Sequence, residues 1–257
     1  MSLILSPLIG IPLIHPETDL GGVLLKSLSE NEITLVDGDI LVVTQKIVSK
    51  SEGRLVDLKS ITPSLQADEL AVSSEKDPRL VELILRESRE ILRIRPGTII
   101  VEHNLGFICA SAGIDHSNVF PEDPKSDPND YVLLLPKNPD RSALEIRRNI
   151  EKKTHTHIGV MIIDSQGRAW RNGVTGMCIG LSGFPPIVDK RGDPDLFGYQ
   201  LKITLIAVAD ELAAAASLVM GQADEGTPVV HVRGFPYSLG DGSLKDLLRP
   251  KDQDLFR

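Results

Sequence analysis

The chain has 257 residues, 41% of them hydrophobic and 25% charged, the balance of an ordinary globular enzyme with one large core or two modest ones. Its net charge of −8 argues against holding nucleic acid along a phosphate backbone, although a few basic residues and a divalent cation would suffice for one nucleotide. Two cysteines, Cys109 and Cys178, are too few for a disulfide scaffold and read as buried free thiols; the N-terminus is apolar but broken by prolines and free of basic residues, so no signal peptide or membrane span is expected, and a cytoplasmic protein is.

Residues 3–9 read as a strand, followed by a turn with exposed backbone at Gly10, Ile11, Pro12 and Leu13. Thr18 or Asp19 can cap a helix running to about Leu28. The turn Asp37-Gly38-Asp39 leads into a short buried strand at 40–43, and Gln45, Lys46, Ser49 and Lys50 follow its C-terminal end. With Arg54, these lysines make either a solvated strand edge or a phosphate clamp. Asp77-Pro78 supplies a helix cap and a proline at the first helical position; Leu80, Leu83, Ile84, Ile91 and Ile94 then predict a helix to about Leu92.

Residues 98–101 and 106–110 read as a hairpin, 112–118 as a polar loop and 121–130 as an exposed, mobile loop rich in proline and acid. A strand at 131–135 and a helix at about 140–152 come next. The segment IGVMIIDSQGRAWRNG at 158–173 carries the most information. Its apolar run ends at Asp164-Ser165, with Arg168, Arg171 and Asn172 just beyond. A carboxylate at a rigid strand end can be held at a fixed distance from a metal ion, and arginines beyond it can grip phosphate or carboxylate oxygens. Small residues at 173–183 suit close backbone packing; an apolar helix at 204–220, with Gly221 just past its end, and a strand at 228–232 complete the pattern. Asp210-Glu211 inside that helix must face solvent, pair with a cation or serve a site. Helices and strands mix without strict alternation, so the fold class is α/β or α+β, with α+β preferred: mixed sheets with packed helices, one unit over 1–257, with two closely associated subdomains.

Asp115, Asp164-Ser165 and the segment from Gly221 to Glu225 offer oxygen ligands for Mg²⁺ or Mn²⁺, which would neutralise charge during phosphoryl transfer. Loop aspartates more often cap turns, so spacing alone does not decide this. No G-x-x-x-x-G-K-[ST], G-x-G-x-x-G or G-x-S-x-G motif is present, and His155 and His157 read as ordinary surface or core polar residues.

Taken together, GIPLI at 10–14, DGDILVVTQKIVSKSEGR at 37–54, GFICASAGIDHSNV at 106–119, the 158–173 segment and DELAAAASLVMGQADEGTPVVHVRG at 210–234 resemble the coenzyme F420-0:L-glutamate ligase family, in order and over nearly the whole chain. The resemblance implies a GTP-dependent ligase that attaches L-glutamate to a deazaflavin precursor by an amide, then a second glutamate through its γ-carboxyl, by way of an acyl phosphate. It implies two divalent ions (Mg²⁺ or Mn²⁺), a monovalent cation as an accessory, and an intertwined homodimer. Asp115, Asp164, Ser165 and Gln222 are the implied metal ligands, with Asp164 and Arg168 at the chemistry. Gly10, Ile11, Pro12, Leu13, Gln45, Lys46, Ser49, Lys50 and Asn118 are implied at the nucleotide, which Met220, Gly221, Ala223, Asp224, Glu225, Gly226 and Thr227 approach from the other side.

Ser165 stands where the family usually has Thr, and Gln166 and Ala169 replace the usual Phe and Pro of D-T-F-G-R-P-W/F; the last two differences are expected to bear on the acceptor pocket more than on the metal site. The nitroreductase-like C-terminal domain of some relatives is not expected here. The competing readings are a γ-glutamyl ligase on another acceptor and a non-catalytic nucleotide- or flavin-binding protein.

Overall fold

Four consecutive buried residues, Ile40 to Val43, cannot all face one side of a strand, so that strand must be covered on both faces. The computed structural model, which describes residues 2–119 and 127–254, builds an α+β protein that does this. The chain begins with β1 (Ile4–Pro7), α1 (Leu20–Glu30), β2 (Ile40–Thr44), α2 (Gln45–Ser51), β3 (Leu55–Asp57), α3 (Leu65–Ser74) and α4 (Pro78–Arg86). It continues through β4 (Ser88–Arg95), β5 (Thr98–His103), β6 (Ile108–Ala110), β7 (Tyr131–Leu133) and α5 (Pro139–Thr154). Then come β8 (Gly159–Arg168), β9 (Arg171–Ser182), β10 (Val188–Asp189), β11 (Leu205–Ile206), α6 (Val208–Met220) and β12 (Val229–Arg233).

The main sheet has the order β1-β12-β2-β8-β9, antiparallel except for the central parallel pair of β2 and β8. Side chains alternate across it. Leu41, Val43, Val160 and Ile162 pack on α1 and α5, while Ile40, Val42, Met161 and Ile163 pack on α6. A second core, built from Ala67, Ala71, Val81, Ile84, Ile99 and Val101, joins α3 and α4 to the sheet β4-β5-β6. The pair β3–β7 lies beside a small cluster of Leu58, Leu83, Val132 and Leu134.

Several elements differ from the sequence pattern. The helix from Pro78 stops at Arg86, and Ile91 and Ile94 lie on β4. The β4–β5 ladder is irregular between Ser88 and Glu90 and between Ile91 and Arg93, which gives a strand a spacing of three that imitates a helix. Strand pairing at Leu205–Ile206 delays α6 to Val208, and β1 and β7 are shorter than expected. β8 does not end at Asp164 but runs on to Arg168 in a hairpin with β9. The polar residues after β2 form α2, whose N-cap residue, Thr44, makes no side-chain cap hydrogen bond to announce it. α3, capped by the Ser64 hydroxyl, is a further helix the pattern did not reveal. Of the loop expected at 121–130, residues 121–126 lie outside the described residues, and Pro128–Asp130 form a short 3₁₀ turn.

Candidate active site

In open sheets, ligands sit beyond the carboxyl ends of parallel strands, where the chain must turn away. At that edge of β2 and β8, Thr44 faces Ile163, and α2 and Asp164 follow directly. A cavity of about 600 Å³ opens there. Asp115, Asp164 and Ser165 line it together with Lys46, Lys50 and Asn118. Ile11, Pro12 and Leu13 form one border, and the loop from Met220 through Gln222 to Thr227 forms another. Segments far apart in sequence thus meet around one space.

Asp115 is fixed by its backbone, which exchanges hydrogen bonds with Leu133. Its carboxylate Oδ2 accepts from Gln45 Nε2 at 2.7 Å and lies 3.6 Å from Lys46 Nζ. Lys46 Nζ also donates to the Ser117 hydroxyl and carbonyl, and Lys50 Nζ donates to the Asn118 carbonyl. Burial lowers the Lys50 pKa from the ordinary lysine value, and neighbouring Lys46 lowers it further. Asn118, in a left-handed conformation, donates from Nδ2 to the Ala223 carbonyl and ties the two loops across the cavity.

Asp164 sits on β8 beside Cys109 and Asp115. Burial pushes its carboxyl up to about 7, and the charge of Asp115 adds to that. Burial likewise raises the Cys109 thiol to about 12, with Asp164 contributing; both cysteines are buried and free. Gln166 is buried, with Nε2 donating to Asp164 Oδ2 at 3.3 Å. Ser165 donates to Gln222 Oε1 at 2.8 Å, and Gln222 Nε2 donates to Ser217 Oγ at 2.9 Å. Gly221 has φ 76°, and a Cβ there would lie 2.1 Å from the Glu225 carboxyl carbon, so the loop needs glycine at this point. Glu225 folds back to accept from the Ala223 N–H.

Four of the expected residues do not line the cavity. Gln45 and Ser49 lie behind Asp115 and are joined to each other at 2.9 Å. Gly10 is exposed beside the border loop, and Arg168 is exposed on the far end of the β8–β9 hairpin. Sequence reasoning passed over Ser117, whose partner Lys46 is distant in the chain, and Ser217, which meets Gln222 only because the chain folds back past the end of α6. Asp210 is paired, its carboxylate accepting the Cys178 N–H at 3.0 Å. His155 ends α5 in a left-handed conformation and His157 is exposed, so neither reaches the cavity.

The donors gathered here are hard oxygens: two carboxylates facing the same space, a hydroxyl and an amide oxygen. Among the described residues, no group of three or more His, Cys, Asp or Glu side chains is placed to hold a metal ion by itself. Two like charges brought together by the fold, with neutral oxygens around them, fit Mg²⁺ or Mn²⁺, which complete their shells with water and phosphate oxygens. No described helix is long and apolar enough to cross a membrane.

The sequence profile of the F420-0:Gamma-glutamyl ligase family matches residues 8–234. The chain is 46% identical over 250 residues to the coenzyme F420:L-glutamate ligase of Methanothermobacter thermautotrophicus, a match covering 96% of each chain. To the ligase of the same name from Methanocaldococcus jannaschii it is 47% identical, over 86% of this chain and 85% of the relative. The corresponding protein of Archaeoglobus fulgidus is 39% identical, over 98% and 95%.

Proposed function

The chain belongs to the F420-0:gamma-glutamyl ligase family, and we propose from that premise that it is a GTP- and divalent-metal-dependent ligase joining L-glutamate to a deazaflavin precursor. The first glutamate enters through an amide and a second through the γ-carboxyl of the first. A carboxylate is a poor acyl donor. Transfer of the GTP γ-phosphoryl to the acceptor carboxylate makes an acyl phosphate, the glutamate amine attacks its carbonyl carbon, and the C–O bond to phosphate breaks as the amide forms.

The observation that carries this reading is the shared cavity of Asp115 and Asp164, with Lys46 and Lys50 on the adjoining wall. In the proposed mechanism the lysines hold the phosphates, and Asn118 keeps the 115–118 and 221–226 loops closed over the nucleotide. Asp115, Asp164, Ser165 and Gln222 are the residues that would hold divalent cations. Such ions, when bound, would neutralise charge on the phosphoryl group in flight. The apolar floor, with Ile163 and Met220, helps keep water from the activated acyl group.

The proposal includes a homodimer. Between β10 and β11 the chain projects Leu196, Phe197 and Ile203, all almost fully exposed, a surface suited to cover by a second copy. Sedimentation of the purified chain tests that part.

The activity test is incubation with GTP, Mn²⁺, glutamate and the deazaflavin precursor, followed by mass spectrometry. The expected products carry one or two added glutamates, with GDP and phosphate released only when glutamate and acceptor are both present. GDP release without any glutamate adduct would exclude the ligase reading.

A further inference from the structure

The end of the β8–β9 hairpin adjoins the cavity without lining it. Ser165 and Val174 form part of the cavity wall, and the hairpin continues past Gly167, opposite Val174, to close at Arg168 opposite Arg171. Between those two pairs β9 carries Asn172 and Gly173 with no counterpart on β8, a bulge that bends the end of the hairpin out of the ladder. Trp170 sits in the turn, 88% exposed, at φ 63°, a left-handed conformation that is rare for an aromatic residue. Arg168 and Arg171 flank it, both exposed, and neither forms an ion pair among the described residues.

We infer that this tip docks the acceptor substrate, with the Trp170 indole stacked on a planar heteroaromatic ring and the two guanidiniums holding that ligand's phosphate or carboxylate groups. An exposed indole offers a flat π-face, and unpaired guanidiniums beside it select a ring that carries negative charge. The spacing fits one extended ligand. At about 3.3 Å per residue, Ser165 and Arg168 stand roughly 10 Å apart along β8. A molecule whose ring lies on the tip can therefore present a carboxylate at the end of a side chain to the cavity wall.

The identity of the acceptor rests on the ligase reading above, but its docking can be measured without turnover. Trp170 is the only tryptophan in the chain, so intrinsic tryptophan emission reports on the hairpin tip alone. The full chain is titrated with the deazaflavin precursor in the absence of GTP, following tryptophan emission together with the anisotropy of the deazaflavin. Saturable quenching that tracks the anisotropy is expected. W170A, and separately R168A/R171A, should each weaken acceptor binding by about tenfold with GTP affinity unchanged, and W170F should retain most of it. Deazaflavin binding with tryptophan emission unchanged would put the acceptor elsewhere, overturning the dock but not the ligase. Loss of the dimer in W170A with acceptor affinity intact would make the tip an interface and also overturn it. Failure of the acceptor to bind at all, although GTP binds in a separate titration, would sink both readings.

Discussion

Gln45 Nε2 donates to Asp115 Oδ2 at 2.7 Å from a fully buried side chain, whose Oε1 in turn accepts from Ser49 at 2.9 Å. Both ends of the amide are engaged, so its orientation is fixed, and with it that of the Asp115 carboxylate. Gln45→Met keeps the volume and removes the hydrogen bond. The expected result is a tenfold to hundredfold weaker affinity for Mn²⁺, the usual size of such a loss when a ligand's supporting partner goes (about 10–100-fold). Mn²⁺ titration followed by electron paramagnetic resonance measures it; GTP binding without metal should not change.

Asp164→Asn preserves shape and an oxygen for Gln166 to bond, but removes a buried charge that faces the charge of Asp115. Without metal the substitution should leave the melting temperature unchanged or raised, because it relieves like-charge repulsion. Turnover should fall on the order of a thousandfold, since a fixed charge aimed at a reacting centre has no substitute. Full activity in this variant would remove Asp164 from the site.

Much of this arrangement is legible in the sequence, and the exceptions have physical reasons. The two-faced burial of β2 follows from its apolar run, and the Asp19 and Asp77 caps follow from side chains that bond within their own turn. Asp115, Asp164 and Gln222 can be nominated from oxygen chemistry and family resemblance, but their convergence requires the β2–β8 register, which no local pattern encodes. Ser217 matters only through Gln222, and Gln166 only through Asp164. β4 is misread as helix because its irregular pairing with β5 alters the apolar period, and pairing is a tertiary fact.

Away from the cavity, Asp39 is almost fully buried. Burial raises its pKa, but His231 Nε2 at 2.9 Å, two bonds from Arg233 and the Val36 N–H outweigh that and hold the carboxyl at about 2. The unfolded chain therefore takes up this proton more readily than the folded one. The associated stability is complete above about pH 4 and is lost as pH falls from there through 2. A drop from 3.8 to about 2 corresponds to roughly 2.5 kcal/mol. Urea unfolding at pH 5, 4 and 3 should show the onset of that loss in the native sequence, roughly 1 kcal/mol by pH 3, and a flatter profile from a lower starting point in Asp39→Asn.

Lys50 reaches the Asn118 carbonyl rather than a carboxylate, so its charge is left for an anionic ligand in the cavity. Lys50→Ala should raise the KM for GTP about tenfold, as expected for one lost charge-assisted contact, and leave the KM for glutamate unchanged. Initial-rate kinetics with each substrate varied in turn decide this; equal losses for both would remove Lys50 from the phosphates.

Gly176 connects the sheet to the site without lining the cavity itself. On β9 it lies against α6, where an added Cβ would stand 2.4 Å from the Ala213 carbonyl oxygen and 2.6 Å from the Ser217 Cβ. The first contact is with helix backbone, which cannot rotate away, so Gly176→Ala must push α6 outward. Overpacking of this kind costs about 1–3 kcal/mol, and for a chain of this size each kcal/mol lowers the melting temperature by about 2–4 °C. Ser217 would move with the helix. Its hydroxyl accepts from Gln222, so the amide that meets Ser165 at the cavity would lose its anchor. Gly176→Ala should therefore melt earlier and also bind Mn²⁺ more weakly, although every proposed ligand is intact. Thermal melts with and without Mn²⁺ separate the two effects: a smaller metal-induced gain in the variant than in the native sequence is the expected signature of the path from β9 through α6 to Gln222.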